Sequence, residues 1–163
     1  MPFRPATPAD IPFILETERL PGMLDHVGRW ERATHAEAMA RSDHAYFIGQ
    51  DATGAATGFA MLQELGDPHG NVLFRRIAMA RRGQGHGAAL FRAVRDWVFR
   101  ETAAHRLYLH VYRHNARALC LYTAAGFVQE GVEREARLLS DGSRADVITL
   151  ALLRREWDAV TIE

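Results

Sequence analysis

Residues 77–87 read Ile-Ala-Met-Ala-Arg-Arg-Gly-Gln-Gly-His-Gly, and no other stretch restricts the fold as much. Val72, Leu73 and Phe74, then Ile77, Ala78 and Met79, form an apolar run expected of a strand. Glycines follow at 83, 85 and 87, and then Leu90, Phe91, Val94, Trp97 and Val98 recur at helical spacing. Strand, glycine loop and helix in succession place a helix N-terminus at a strand end. The first N–H groups of a helix have no partner and its macrodipole is positive there, which favours an anion. Glycine lets a phosphate approach the backbone closely. Arg81 and Arg82 add charge at the loop entrance. Residues 82–88 are therefore predicted to hold a phosphate-bearing ligand; the bland alternative for the loop alone is a glycine-rich turn that binds nothing.

Two common phosphate-binding patterns are excluded. The P-loop requires Gly-Lys-Ser/Thr, and this chain has no lysine: all 20 of its basic residues are arginine. That also removes any Schiff-base lysine or lysine general base. The dinucleotide fingerprint requires G-x-G-x-x-G, whereas the spacing here is G-x-G-x-G without a suitably placed acidic residue. Arg82-x-x-Gly85-x-Gly87 instead resembles the acyl-CoA pyrophosphate loop of the GNAT N-acetyltransferase superfamily. A β-rich run at 106–112 and then residues 115–127 extend the likeness. Asn115, Ala118, Leu121, Tyr122, Gly126 and Phe127 occupy every defined position of the family signature N-x-x-A-x-x-L-Y-x-x-x-G-F. Asn115 and Gly126 are also good residues to start and stop a helix, whatever else they do. Residues 129–134, Gln-Glu-Gly-Val-Glu-Arg, resemble the E-G-x-x-R stretch of the ribosomal-protein N-terminal acetyltransferase branch.

The resemblance spans roughly residues 3–155 and implies both fold and chemistry. It implies one α/β domain over 1–163, a mixed twisted sheet of about six to seven strands flanked by about four helices, with central strands splayed to hold acetyl-CoA as cosubstrate. In that reading the backbone of Ile77, Ala78 and Met79 meets the thioester and pantetheine. Arg82, Gly83, Gln84, Gly85, His86, Gly87 and Ala88 cradle the pyrophosphate. Asn115, Ala118 and Tyr122 contact the cofactor. Tyr122 is the implied general acid, since a phenol suits proton donation to a thiolate of somewhat lower pKa; a core tyrosine is the plainer reading. Glu64 is the candidate base, with a solvated strand-end carboxylate as its equal alternative, and no base is needed if the amine arrives partly deprotonated. The implied activity is transfer of an acetyl group to a primary amine by direct attack in a ternary complex. The competing class is a protein of the same fold that binds acyl-CoA as a sensor or partner without turnover.

Size and composition narrow the remainder. A chain of 163 residues with zero formal net charge suits one soluble domain and argues against a broad nucleic-acid or membrane footprint. No run is long and apolar enough to span a bilayer, and the N-terminus lacks a signal-peptide core, so a cytoplasmic location is expected. The lone Cys120 reads as a packed helical thiol, and His110 as a buried, hydrogen-bonded residue. No metal site is expected from the histidine spacing. Trp30, Trp97 and Trp157 read as packing residues.

Along the chain, Thr7-Pro8-Ala9-Asp10 reads as a helix start, with the helix reaching about Arg19. A second helix is expected at about 34–41, strands at 45–49 and 57–62, and a closing hairpin of 129–139 with 144–153. The acceptor is a small-molecule amine or a protein N-terminal amine, with neither nucleic acid nor membrane as partner, and a homodimer is allowed. The acceptor cleft is expected to carry Asp25, Glu31, Glu64 and Asp67 and so to welcome a cationic amine; Arg75 and Arg76, if they face the same cleft, favour an amine bearing a carboxylate.

Overall fold

Alternation along the central strands sets the layers. In β1 (Phe3–Pro5), β2 (Ala45–Gln50), β3 (Ala56–Gln63) and β4 (Asn71–Met79), one set of side chains includes Phe47, Ala60, Leu62, Val72 and Phe74. These pack on Leu90, Phe91, Val94 and Val98 of a helix at His86–Glu101. The opposite set, Tyr46, Ile48, Phe59, Met61 and Ala78, meets Ile14 and Ala38 from two helices on the other face. Burial on both faces explains why these strands read as near-continuous apolar runs. Each large apolar side chain buried this way contributes roughly 1.5–3 kcal/mol.

The computed structural model describes residues 1–81, 83 and 85–161. The helices on the second face are α1 (Ile11–Glu18), the single turn α2 (Leu24–Val27) and α3 (Arg32–Met39). They are followed by α4 (His86–Glu101), β5 (Arg106–Tyr112), α5 (Ala116–Ala124), β6 (Val128–Leu138), β7 (Arg144–Leu153) and α6 (Arg154–Thr161). The strands form one sheet in the order β1-β2-β3-β4-β5-β7-β6. Every neighbouring pair is antiparallel except β4 with β5.

The entry to α1 follows the sequence signal. Pro8–Asp10 form a 3₁₀ turn, and the Thr7 amide donates to Asp10 Oδ2 at 2.8 Å. Asp10 also accepts from Arg4 at 2.7 Å, which ties β1 to the helix start and holds its carboxyl down at about 2. Two helices exceed the four predicted: α2 is too short to show periodicity, and α6 begins directly where β7 ends. Among the described residues, no helix is long and apolar enough to cross a membrane.

Two irregularities matter for the site. The single parallel pairing is brief: Asn71, Val72 and Leu73 pair with Arg106, Leu107 and Tyr108, after which β4 and β5 diverge. In β4, Arg76 lies opposite Met61 and Phe74 opposite Leu62, so Arg75 is an extra residue in the strand. Such a bulge bends a strand and changes where its side chains aim.

Candidate active site

A cleft of about 560 Å³ opens where β4 and β5 separate. β3 pairs with the far edge of β4 as far as Met79, and β7 pairs with the far edge of β5 along its whole length. The near edges, from Phe74 on one side and Leu109 on the other, have no strand partner. Unpaired backbone donors and acceptors therefore line an internal gap, where they require a partner or water. Ile77, Ala78 and Met79 line it, as the sequence leads one to expect.

One end of the gap is the glycine loop. Gly85 caps α4 with φ 73°, in the left-handed region that glycine enters at no steric cost. A Cβ built there meets no atom within 4 Å, so the helix start is open in front of it. Arg81, Gly83, Gly85, Gly87 and Ala88 line the cleft, while His86 does not. Arg82 and Gln84, also predicted for this loop, lie outside the described residues. The arrangement suits an anion: the 16-residue helix α4 directs its unpaired first-turn amides to the cleft.

Helix α5 forms the wall facing this end. Asn115 Oδ1 accepts from the Ala118 amide at 3.2 Å, so its oxygen caps the helix, and both residues line the cleft. Tyr122 also lines the cleft, one face of its ring against Phe91 at 4.8 Å between centroids. Its hydroxyl makes no hydrogen bond among the described residues. Burial pushes its pKa up to about 12, so the phenol keeps its proton. The residue is half-buried and lines the cleft, so its hydroxyl is left to whatever the cleft holds.

The opposite end is built by α2, the middle of β4 and the β6–β7 hairpin. Asp25 of α2 accepts from the Ser140 amide at 3.0 Å and its hydroxyl at 2.6 Å, tying α2 to the hairpin turn. Behind β4 lies a buried polar network. Glu18 accepts from Arg76 Nη1 at 2.5 Å, from His35 Nε2 at 3.2 Å and from the Trp30 amide at 3.3 Å. With Nε2 donating to Glu18, His35 Nδ1 accepts from the Tyr46 hydroxyl at 3.1 Å. Burial opposes the charge on Glu18, but the His35 hydrogen bond and the Arg76 guanidinium hold its pKa below the ordinary value. The Arg76 guanidinium lies 4.5 Å over the Trp30 ring, which thus packs against a charge as well as the core.

Several expectations change. Glu64 lies on an exposed turn after β3, outside the cleft, and accepts from the Tyr108 hydroxyl at 2.7 Å. Its partner Tyr108 stands opposite Leu73, where β4 and β5 are still paired. The acidic acceptor cleft is overturned as well. Asp25 is engaged with Ser140, exposed Glu31 with Arg19 at 3.3 Å, and Asp67 with the amides of His69 and Asn71, and none of them lines the cleft. Arg75 and Arg76 do line it. His110 faces this side, bonded to Thr149 Oγ1 at 3.1 Å but one third exposed. Cys120 is exposed, because α5 turns that side outward. Arg137, Arg117 and Tyr112 line the cleft without any sequence signal that would have singled them out.

Residues 14–127 match the acetyltransferase (GNAT) family. Over 112 residues the chain is 34% identical to a spermidine N(1)-acetyltransferase of Vibrio cholerae, a match that covers 68% of this chain and 64% of that relative's length. Among solved structures, a mutant spermidine N-acetyltransferase from Vibrio cholerae superposes with a TM-score of 0.86 at 23% identity, covering 99% of each chain. A spermidine N-acetyltransferase from the same organism, in complex with CoA and spermine, superposes with a TM-score of 0.86 at 23% identity over 96% of each chain. At such identities the superpositions establish the shared fold.

Proposed function

The chain belongs to the acetyltransferase (GNAT) family, and on that footing we propose that it transfers an acetyl group from acetyl-CoA to the primary amine of a small molecule. The observation that carries this reading is the continuity of one cleft, which runs from the glycine start of α4, between the free edges of β4 and β5, past Tyr122. The residues suit acetyl-CoA along that length. The open position before Gly85 and the amides of α4 would take the pyrophosphate, and the unpaired backbone at Ile77, Ala78 and Met79 matches an amide-rich pantetheine arm.

Acetyl-CoA supplies an acetyl group activated as a thioester. The protein's part is to orient it and to manage protons. Backbone amides on β4 would stabilise charge at the carbonyl oxygen, and a donor fixed in a dry site needs little reorganisation to do so. Tyr122 holds a proton at a hydroxyl that has no other use, and that proton would go to the leaving sulfur. Glu64, engaged with Tyr108 outside the cleft, would take part only as a base acting through water. The incoming amine then gives up its proton to water.

A small molecule is favoured over a protein N-terminus as acceptor. The relatives named act on small amines, and the acceptor end is narrowed on one side by α2, which Asp25 ties to the β6–β7 turn through Ser140. The likeness of residues 129–134 to the ribosomal-protein branch therefore has less support than the relatives, whose names are those of small-amine acetyltransferases. The test is thiol release from acetyl-CoA over a panel of amines, with calorimetry for acetyl-CoA itself. Binding with transfer is the expected result; binding without transfer to any amine would favour a non-catalytic acyl-CoA binder.

A further inference from the structure

The described residues lining the cleft include Arg75, Arg76, Arg81, Arg117 and Arg137, and no aspartate or glutamate. Arg81 belongs to the glycine loop, where phosphate accounts for it. Arg75 and Arg76 lie three to four residues before Met79, about 10 Å or more from that loop at ~3.3 Å per residue. Glu18 accounts for Arg76, but Arg75 has no such counter-charge among the described residues, and a second anion in the cleft would supply one.

Both sides of the acceptor end receive their arginines through strand irregularities. Regular alternation would give Arg76 the same face as Phe74, in the core under α4. The extra residue in β4 sends Arg76 to the opposite face instead, and Arg75 and Arg76 both line the cleft. On the other side, β6 pairs Glu133 with Val147 and then Arg137 with Ala145, so β6 uses two more residues than β7. Glu135 within that excess sits at φ 53°, and its amide donates to Asp146 Oδ1 at 2.9 Å. Left-handed backbone at a non-glycine residue costs roughly 1–2 kcal/mol. An excess of two leaves Arg137 on the face that alternation from Glu133 gives it, but sets it opposite Ala145, where an unbroken ladder would put Glu135.

The charge at this end is not balanced. Arg76 is paired with Glu18, but Arg75 and Arg137 form no ion pair among the described residues. Arg75 and Arg137 are both exposed to the cleft's solvent; partial desolvation, then the nearby Arg76 and Arg137, lower the pKa of Arg75. Glu133, 3.9 Å from His110 Nδ1, is half exposed at the sheet edge and does not line the cleft.

We propose that the acetyl acceptor is a small amine bearing a carboxylate, and that Arg75 and Arg137 hold that carboxylate. A guanidinium presents two parallel donors that match a carboxylate, while a polycation entering the same space meets like charge. The acceptor class thus differs from the polyamine in the relatives' names. The inference rests on the acetyltransferase reading and adds its specificity.

The experiment compares free amino acids with their amides, and both with spermidine, as acceptors for the intact protein. The expected result is a kcat/KM for the best free acid at least about tenfold above its amide and above spermidine. Arg75→Gln and Arg137→Gln should each raise KM for that acid about tenfold while leaving the KM for acetyl-CoA within a few fold. Calorimetry of the acid on CoA-saturated protein gives a second readout, and both variants should weaken that binding by a similar factor. Acetyl-CoA turnover that prefers spermidine, or that treats acids and amides alike, overturns the inference alone. Failure to bind acetyl-CoA, or transfer to no amine at all, overturns the acetyltransferase reading and the inference with it.

Discussion

Arg76 Nη1 stands 2.5 Å from Glu18 Oε1 and joins the cleft strand β4 to helix α1 across 58 residues of chain. The two side chains are 4% and 0% exposed. A buried ion pair is weak evidence of net stability, because desolvation offsets the attraction, but removal of one partner strands the other. Glu18→Ala should cost about 3–5 kcal/mol in urea unfolding, far more than Glu31→Ala on the exposed pair with Arg19. Similar losses in the two variants would show that Glu18 is not the anchor its geometry suggests.

The same pair sets an acid response. Glu18 has a lowered folded pKa, so its contribution is fully present above its unfolded pKa and is lost as pH falls through the folded value. Unfolding free energy followed from pH 7 downward should decline in the wild-type protein more steeply than in Glu18→Gln. Parallel curves would remove Glu18 from the account.

Tyr122→Phe should keep acetyl-CoA affinity within a few fold and lower kcat by about 10² to 10⁴, the usual worth of a placed proton donor. The ring contacts with Phe91 and Phe127 survive the change, so the fold should be undisturbed. Single-turnover kinetics isolate the chemical step; wild-type rates there would end the role assigned to the hydroxyl.

Because burial holds the Tyr122 phenol at about 12, its ionisation does not limit the rate in ordinary buffers. The value of kcat/KM should rise with pH as the acceptor amine loses its proton and then level off, without a descending limb below about pH 10. A descending limb near pH 9 that vanishes in Tyr122→Phe would contradict the raised pKa.

Gly85→Val should weaken acetyl-CoA binding at least about tenfold. No steric clash is expected within the protein, since the space around the added Cβ is open. The folding cost is that of a branched residue at φ 73°, roughly 1–2 kcal/mol. An unchanged dissociation constant by calorimetry would detach the loop from the cofactor.

Local patterns led to most of the fold. The apolar run at β4, the glycine stop before α4 and the Asn115 cap are consequences of neighbouring residues, and they appear where expected. The cleft's charge was not legible in the same way. Asp25 and Asp67 are near the acceptor segments in sequence, yet Asp67 is engaged by its own turn and Asp25 by Ser140, 115 residues away in the chain, and neither lines the cleft. Arg137 stands opposite Ala145 because β6 carries two excess residues around Glu135, and alternation by twos gives its face but not that position along β7. The Glu18–His35–Tyr46 network is equally hidden, since its members meet only after α1, α3 and β2 have packed.

The brief pairing of β4 with β5 gives the sheet two edges in its interior. Without ligand, amides facing the gap from Arg75 to Met79 and from Leu109 to Tyr112 should exchange hydrogen for deuterium faster than their neighbours on the paired sides. A cofactor lying in the gap would act as a missing eighth strand. Its binding would then be read as added thermal stability growing as RT ln(1 + [L]/Kd), so that the cell's supply of acetyl-CoA sets how firmly the two halves of the sheet are joined.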